Sequence, residues 1–354
     1  MKHKTFDRNR LILILLASTS LALLIATIVG LIYFYNRVND YGPGGNEQIN
    51  RYKHVYAFIA DDTDDTLSNS LYKDLVEYGK ANDCFVERIG SGLASNYSKS
   101  DLFNIAIYSK VDGIIVQGDG TAATDALINK ADKAGIPVVT VLTDNKNSSR
   151  KSFIGMNDFS VGTDYGTQII NAARESGKGA GETVSVLILM NSQYSNQNTI
   201  LSSIQEKVAT ANPVGPQIKL STESITSSTA FSIQENVKDL LDGYSTLPDV
   251  IVCLSDINTR SVYQCIVESN RVGSTRILGY YDSDTVTKAI ERGSVYATFT
   301  VATEQMAKFC VDALNEYKEM GNVSAYFSTD YELITIQTLA ARQQQGGKGK
   351  DEET

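Results

Sequence analysis

The sequence predicts an α/β protein of two similar lobes, each built on a mostly parallel sheet and preceded together by one N-terminal transmembrane helix. Three observations carry this. A charge-free apolar run occupies residues 11–35. Beyond it, short β-branched runs alternate with longer stretches of helical period, the pattern of βαβ units. That alternation then starts again midway along the chain, which makes the second lobe. The 354 residues suffice for two packed cores, and 42% apolar content is ordinary for a globular chain.

The run Leu11 to Tyr35, "LILILLASTSLALLIATIVGLIYFY", would be a helix about 37 Å long at about 1.5 Å per residue, enough to span a bilayer. Lys2, Lys4, Arg8 and Arg10 precede it and only Arg37 follows closely. Positive-inside bias therefore puts residues 1–10 in the cytoplasm and the rest outside. A cleavable signal peptide is the rival reading, against which stand the length of the run and the lack of an A-x-A site. No cysteine follows to carry a bacterial lipid. The expected location is the cell membrane, single-pass, with an extracytoplasmic body.

Residues 36–53, with Gly42, Pro43, Gly44 and Gly45 at their centre, read as a flexible stalk. Strands are expected at 54–60, 84–90, 112–118, 136–142 and 152–156. Between them Leu71, Leu75 and Tyr78 share one helical face, as do Leu102, Ile105 and Ala106. The second set comprises strands at 183–190, 218–225, 249–255 and 276–281, with helices centred on Ile204, Val237, Val262 and Ala289. A strand at 297–302, a helix ending near Met320 and a strand at 331–336 have no partners of their own and are expected to cross back between the lobes. Lobe 1 is then 54–157 plus 303–327, lobe 2 is 158–302 plus 328–340, and 341–354 is a disordered tail.

Composition excludes several functions. Net charge is −9 and the outer portion has no basic stripe, so nucleic acid is not an expected partner. Cys84, Cys253, Cys265 and Cys310 have no metal or C-x-x-C spacing and sit in apolar runs, as buried thiols do. Beyond the membrane segment His54 is the one histidine, at the start of the first strand, so histidine-based catalysis has no candidate. "GSGLAS" (90–95) lacks the third glycine of a dinucleotide fingerprint, and "SGKGAGET" has no Ser or Thr after its Gly-Lys. "DDTDD" lacks the glycine and distal Glu of a calcium loop. Neither cofactor nor metal is expected.

In open parallel sheets ligands bind beyond the carboxyl ends of the strands. There the first lobe carries Asp61, Asp62, Asp64 and Asp65, then Thr143, Asp144 and Asn145, then Asn157 and Asp158. The second carries Tyr194, Asn196, Gln197 and Asn198, then Ser255 and Asp256, then Tyr280, Tyr281, Asp282, Ser283 and Asp284. Helix capping accounts for one such residue per helix, and several loops hold more. The surplus predicts a polar cleft between the lobes. Its carboxylates and amides, with no Lys or Arg beside them but Lys146, suit a neutral polyol or a cation rather than a phosphate. One of Tyr280 and Tyr281 can stack on a sugar face; the other belongs to the core, since strand neighbours point oppositely. Two other readings stay open: a carboxylate-dependent glycan-modifying hydrolase using Asp61 and Asp282, and a ligand-free adaptor.

"VYAFIADD", "VDGIIVQG" leading to "AGIPVVTV", "FIGMNDFSVGTDYG", "PDVIVCLSD" and "ILGYYDSDTVTKAIERGSVYATFT" occur in that order. Together they resemble the type 1 periplasmic binding proteins, the ribose-binding group whose ligand domain is shared with the Lac repressor family. The resemblance covers about residues 54–338. It implies two Rossmann-like lobes joined by a three-crossing hinge near Asn157, Thr300 and Ser328, closing on a small molecule, usually a sugar. It also implies ligand contacts at Asp61, Thr66, Asp144 and Asn157, and at Asn198, Ser255, Tyr281 and Asp282, with Asp62 and Asp256 beside them. Thr66 and Leu67 replace paired aromatics common in sugar binders, and Asn198 replaces a frequent arginine. No helix-turn-helix precedes the body. The implied partner is an ABC permease or a membrane histidine kinase.

Overall fold

A computed structural model describes residues 52–60, 66–91, 97–192, 194–211, 215–226 and 229–341, with part of 14–29. The chain divides into two units, 1–53 and 54–354. In the first, the described residues between 14 and 29 are helical; most of the expected span 11–35 and stalk 36–53 lies outside the described residues, as do Asp61, Asp62 and the tail beyond 341. Among the described residues no helix is long and apolar enough to cross a membrane.

The second unit begins with β1(His54–Ile59), α1(Thr66–Ala81), β2(Cys84–Arg88), α2(Lys99–Tyr108), β3(Gly113–Gln117), α3(Ala122–Lys133), β4(Val138–Val141) and β5(Ser152–Gly155). These strands and β11(Tyr326–Ser328) form a six-stranded sheet in the order β11-β5-β4-β3-β1-β2. Every pairing in it is parallel. The central strands, "GIIVQ" and "VVTV", are buried throughout, whereas the edge strand "CFVER" alternates. That is the difference between a strand covered on both faces and one at a rim. α2 and α3 cover one face with Leu102, Phe103 and Ile128. α1 and α9(Thr303–Met320) cover the other with Leu71, Leu75, Val311 and Leu314.

The second lobe holds α4(Asp158–Arg174), β6(Thr183–Asn191), α5(Gln197–Ala209), β7(Gln217–Ile225), α6(Ala230–Asp242), β8(Val250–Cys253), α7(Asp256–Glu268), β9(Arg276–Leu278) and α8(Asp284–Glu291). Its four strands pair in parallel in the order β7-β6-β8-β9. β10(Thr298–Phe299) and β12(Leu333–Ile334) form an antiparallel pair, joined to the sheet by the bridge Leu278 to Ala297. The chain passes between lobes three times: after β5, after β10 and after β11. These passages are hydrogen-bonded to one another. Thr329 N donates to Gly155 O (2.9 Å), Thr300 N to Glu332 O (2.8 Å) and Glu332 N to Thr300 Oγ1 (2.7 Å).

The strands expected at 276–281, 297–302 and 331–336 are shorter than their apolar runs. Beyond the end of β9, Tyr281 is left-handed, with φ 69°, so the extended chain cannot run on through it. All four cysteines are free and buried.

α4 and α5 pack closely because Gly162 lies on the contact, where a Cβ would stand 2.5 Å from Ile200 O and 2.6 Å from Ser203 Cβ. Overpacking costs about 1–3 kcal/mol and the helix gains about 1 kcal/mol when Gly becomes Ala. Gly162→Ala is therefore expected to lower stability by up to about 2 kcal/mol in urea denaturation, against the rise that helix propensity alone would give.

Candidate functional site: the cleft between the lobes

The two lobes face each other with the carboxyl ends of their strands, and a small cavity of about 50 Å³ lies between them. That is room for a few waters, so a sugar-sized guest requires the lobes to part. From the first lobe come Leu67 at the start of α1, Gln117 at the end of β3, and Leu142 and Thr143 after β4. The second lobe supplies Tyr194, Asn196, Gln197 and Ile200 from the β6–α5 junction, Leu254, Ser255, Asp256 and Ile257 from the β8–α7 junction, and Tyr280 after β9. Among the described lining residues there is no Lys or Arg.

The walls are held by buried hydrogen bonds. Gln197 is 2% exposed: its Oε1 accepts from Asn191 N (2.6 Å) and its Nε2 donates to Leu254 O (2.9 Å), which fixes the ends of β6 and β8 relative to each other. Tyr165, fully buried in α4, donates its hydroxyl to Gly279 O (2.7 Å) and lies 3.3 Å from Cys253 O, bracing the ends of β8 and β9. In the first lobe Ser68 Oγ donates to Gln117 Oε1 (3.0 Å), and Asn145 Oδ1 accepts from Asp119 N (3.0 Å) and Gly120 N (3.2 Å).

Among the described residues, three hydrogen bonds cross the cleft. Tyr281 donates its hydroxyl to Ser70 Oγ (2.8 Å), Thr143 Oγ1 donates to Asn196 Oδ1 (3.2 Å), and Ser195 N donates to Asp119 O (3.4 Å). The lobes are thus closed on each other. At both sides of this closure a bulky residue is left-handed: Leu142, with φ 67°, and Tyr281. Such strain persists only where the surroundings enforce it, and it redirects the side chains that follow.

Of the residues expected at the site, Ser255 and Asp256 line the cleft. Ser255 also caps α7, accepting from Asn258 N (3.3 Å), and Asp256 Oδ2 accepts from Arg260 Nε (2.9 Å). Thr66 precedes Leu67 at the rim. Asp144 is engaged by Arg150, whose Nη2 donates to its Oδ2 (2.7 Å) and whose Nε bonds Oδ1. Asn157 is exposed and caps α4 through Ser160 N (3.0 Å). Asn198 is exposed on α5, while its neighbours Asn196 and Gln197 face the cleft. Tyr281 is buried against Ser70 and it is Tyr280 that lines the cavity. Asp282 is half-buried, and its backbone carbonyl accepts from Thr287 Oγ1 (3.3 Å). Gln117 was not anticipated. Its signal is the one polar residue closing an otherwise apolar strand run.

Arg150 and Lys99, from outside these loops, pair with Asp144 and Asp119, and neither lines the cleft. Lys99 Nζ donates to Asp119 Oδ2 (2.9 Å). Burial raises the Asp119 pKa, but Lys99 and the Thr121 and Thr124 donors outweigh it and hold the carboxyl below its usual range. Asp158, at the first turn of α4, differs: burial pushes its pKa up to about 6, the Asn196 amide opposes this, and the Asp144 carboxylate adds to it.

A raised acid pKa means the folded chain keeps this proton while the unfolded chain, at the ordinary 3.8, has lost it. The stability from that proton is complete below pH 4 and is lost as pH rises through 6, by up to about 3 kcal/mol. Asp158→Asn is therefore expected to gain about 1–3 kcal/mol over the parent chain at pH 7 and nothing near pH 4. Denaturant midpoints at the two pH values check this.

Comparison with known proteins agrees with this architecture. The periplasmic binding protein domain matches residues 56–322. No curated protein sequence matches the chain. Among solved structures, GanP, a glucose-galactose binding protein from Geobacillus stearothermophilus, is similar with TM-score 0.68 at 19% identity, over 80% of this chain and 98% of that one. The XylFII-LytSN complex gives TM-score 0.66 at 21% identity, with 80% and 98% covered. An ABC transporter solute-binding protein from Burkholderia graminis C4D1M, in complex with D-arabinose, gives 0.67 at 17%, with 82% and 97% covered. At such identities the structures share the fold, and the domain match over most of the chain does the rest: this chain belongs to the periplasmic binding protein family.

Proposed function

We propose that the chain is a membrane-anchored, extracytoplasmic solute-binding protein that closes on a small neutral sugar or polyol. The cleft carries this reading: walls from both lobes present amide, hydroxyl and phenol groups with the single described carboxylate of Asp256, and no described cation lines them. Such a lining exchanges hydrogen bonds with hydroxyls and offers no counter-charge to an anion. Leu67, Leu142, Ile200, Leu254 and Ile257 supply apolar surface for the C–H face of a ring. The sugars named in similar structures, glucose, galactose and D-arabinose, are of this class.

As a periplasmic binding protein the chain binds and does not catalyse, which sets the hydrolase reading aside. Anchoring rests on the uncharged 11–35 run and its basic N-terminal flank. Two onward roles fit: delivery to an ABC permease, supported by the solute-binding likenesses, and report to a membrane sensor, supported by the XylFII-LytSN complex.

A thermal-shift screen of neutral monosaccharides, short oligosaccharides and anionic sugar phosphates tests the ligand class. At a concentration about 100 times Kd, a true ligand stabilises by about 2.7 kcal/mol and raises Tm by several degrees. The expected hits are neutral; shifts confined to the phosphates would overturn the proposal.

A further inference from the structure

β7 is the outer strand of the second lobe's sheet. It pairs with β6 on one side, and among the described residues no strand pairs with the other. Its 9 residues, "QIKLSTESI", keep an unbroken register with β6, and only Ile225 is buried. Gln217 N donates to Glu182 O (2.8 Å) and Ser192 N donates to Ile225 O (3.1 Å), so the odd-numbered peptide groups of β7 face β6. In a parallel ladder these groups alternate, which turns the N–H and C=O of Ile218, Leu220, Thr222 and Ser224 to the open side. Such a row is a template for another strand.

A lysine on an edge ordinarily deters pairing, and exposed Lys219 stands on this one. Glu223, also exposed, lies on the same face of the strand and carries the opposite charge. If a second β7 runs antiparallel to the first about a two-fold axis at Ser221, Lys219 of each copy falls opposite Glu223 of the other. Leu220 then meets Thr222 and Ile218 meets Ser224 as hydrogen-bonded pairs, which occupy the outward peptide groups. The charged residues become non-hydrogen-bonded pairs, where side chains approach most closely. An axis at Ser221 engages the whole strand; at Lys219 or at Glu223 it would set like charges against each other, which is destabilising. On the even-numbered face, Ile218 and Leu220 line a groove of about 480 Å³ with Ile170 of α4 and Val208 of α5. The pairing makes the two Leu220 side chains diagonal neighbours beside it.

We propose that the open edge of β7 is a self-association surface, on which two copies of this chain pair antiparallel about Ser221 and join their four-stranded sheets into one. The contact is small, so the association is reversible. No residue of β7 lines the cleft, and the inference therefore stands or falls apart from the ligand reading.

Ser221→Cys in the full chain, purified in detergent, tests it by cross-linking. All four native cysteines are buried and supply no background. In a non-hydrogen-bonded pair the two Cα atoms lie about 4.5 Å apart, within the reach of a disulfide. Oxidation with copper-phenanthroline is expected to yield a linked dimer at least about tenfold faster than for Thr222→Cys, which is also exposed but is displaced along the strand from its own copy. Adding Lys219→Glu to Ser221→Cys is expected to slow the reaction about tenfold, and adding Glu223→Lys as well to restore it, a reversal that neither misfolding nor a change in net charge produces. Equal rates for the two cysteine variants, or a charge swap that restores nothing, would overturn the inference. Ser221→Cys chains that stay monomeric would overturn it too, and leave the edge to a strand of another protein.

Discussion

Tyr165→Ala is expected to lower the stability of the body by about 4 kcal/mol, the largest single effect at the site's foundations. The ring is fully buried and meets Phe299 edge-on, with centroids 4.5 Å apart. Truncation leaves a cavity in the core cluster that runs from one lobe to the other, and leaves Gly279 O without the donor at 2.7 Å. Tyr165→Phe keeps the packing and removes only the hydroxyl, so it is expected to cost about 1–2 kcal/mol. Urea denaturation of the two variants separates the terms; equal losses would show that the hydroxyl, and not the ring, holds the ends of β8 and β9.

Asp256→Ala is expected to weaken binding of a neutral sugar about 100-fold, or roughly 3 kcal/mol, because a buried carboxylate accepting from hydroxyls contributes more than a neutral acceptor does. Asp256 is 3% exposed, lies at the first turn of α7, and is held by Arg260, so its orientation is set before ligand arrives. Loss of the N-terminal charge costs α7 about 1 kcal/mol, which leaves the fold in place. Calorimetric titration at fixed pH reads the change, and an unaltered Kd would remove Asp256 from the site.

The order of strands and helices was legible because it depends on periodicity. The buried run "GIIVQ" and the alternating "CFVER" obey the two rules for covered and edge strands. The junctions that carry cleft-lining residues were also legible, since a parallel sheet puts them at one edge. Which residue within a junction faces the cleft was not, and the pairs Tyr280 with Tyr281 and Asn196 with Asn198 show why. Between a strand end and a helix start neither the period of 2 nor that of 3.6 applies. A left-handed residue such as Leu142 or Tyr281 turns its neighbours, and nothing in local composition announces it. Arg150 and Lys99 were hidden for another reason: each reaches its carboxylate from outside the strand-end loops, a juxtaposition only the tertiary fold makes.

The most direct measurement is titration calorimetry of the best neutral sugar from the screen into the parent chain and into Asn196→Ala. Asn196 touches the cleft from the second lobe and Thr143 of the first, so both the lining and the closure pass through it. One sugar per chain, with affinity falling at least about tenfold in the variant, is the predicted result. Stoichiometric binding with the same affinity in both chains would place the ligand elsewhere and contradict a sugar held between closing lobes.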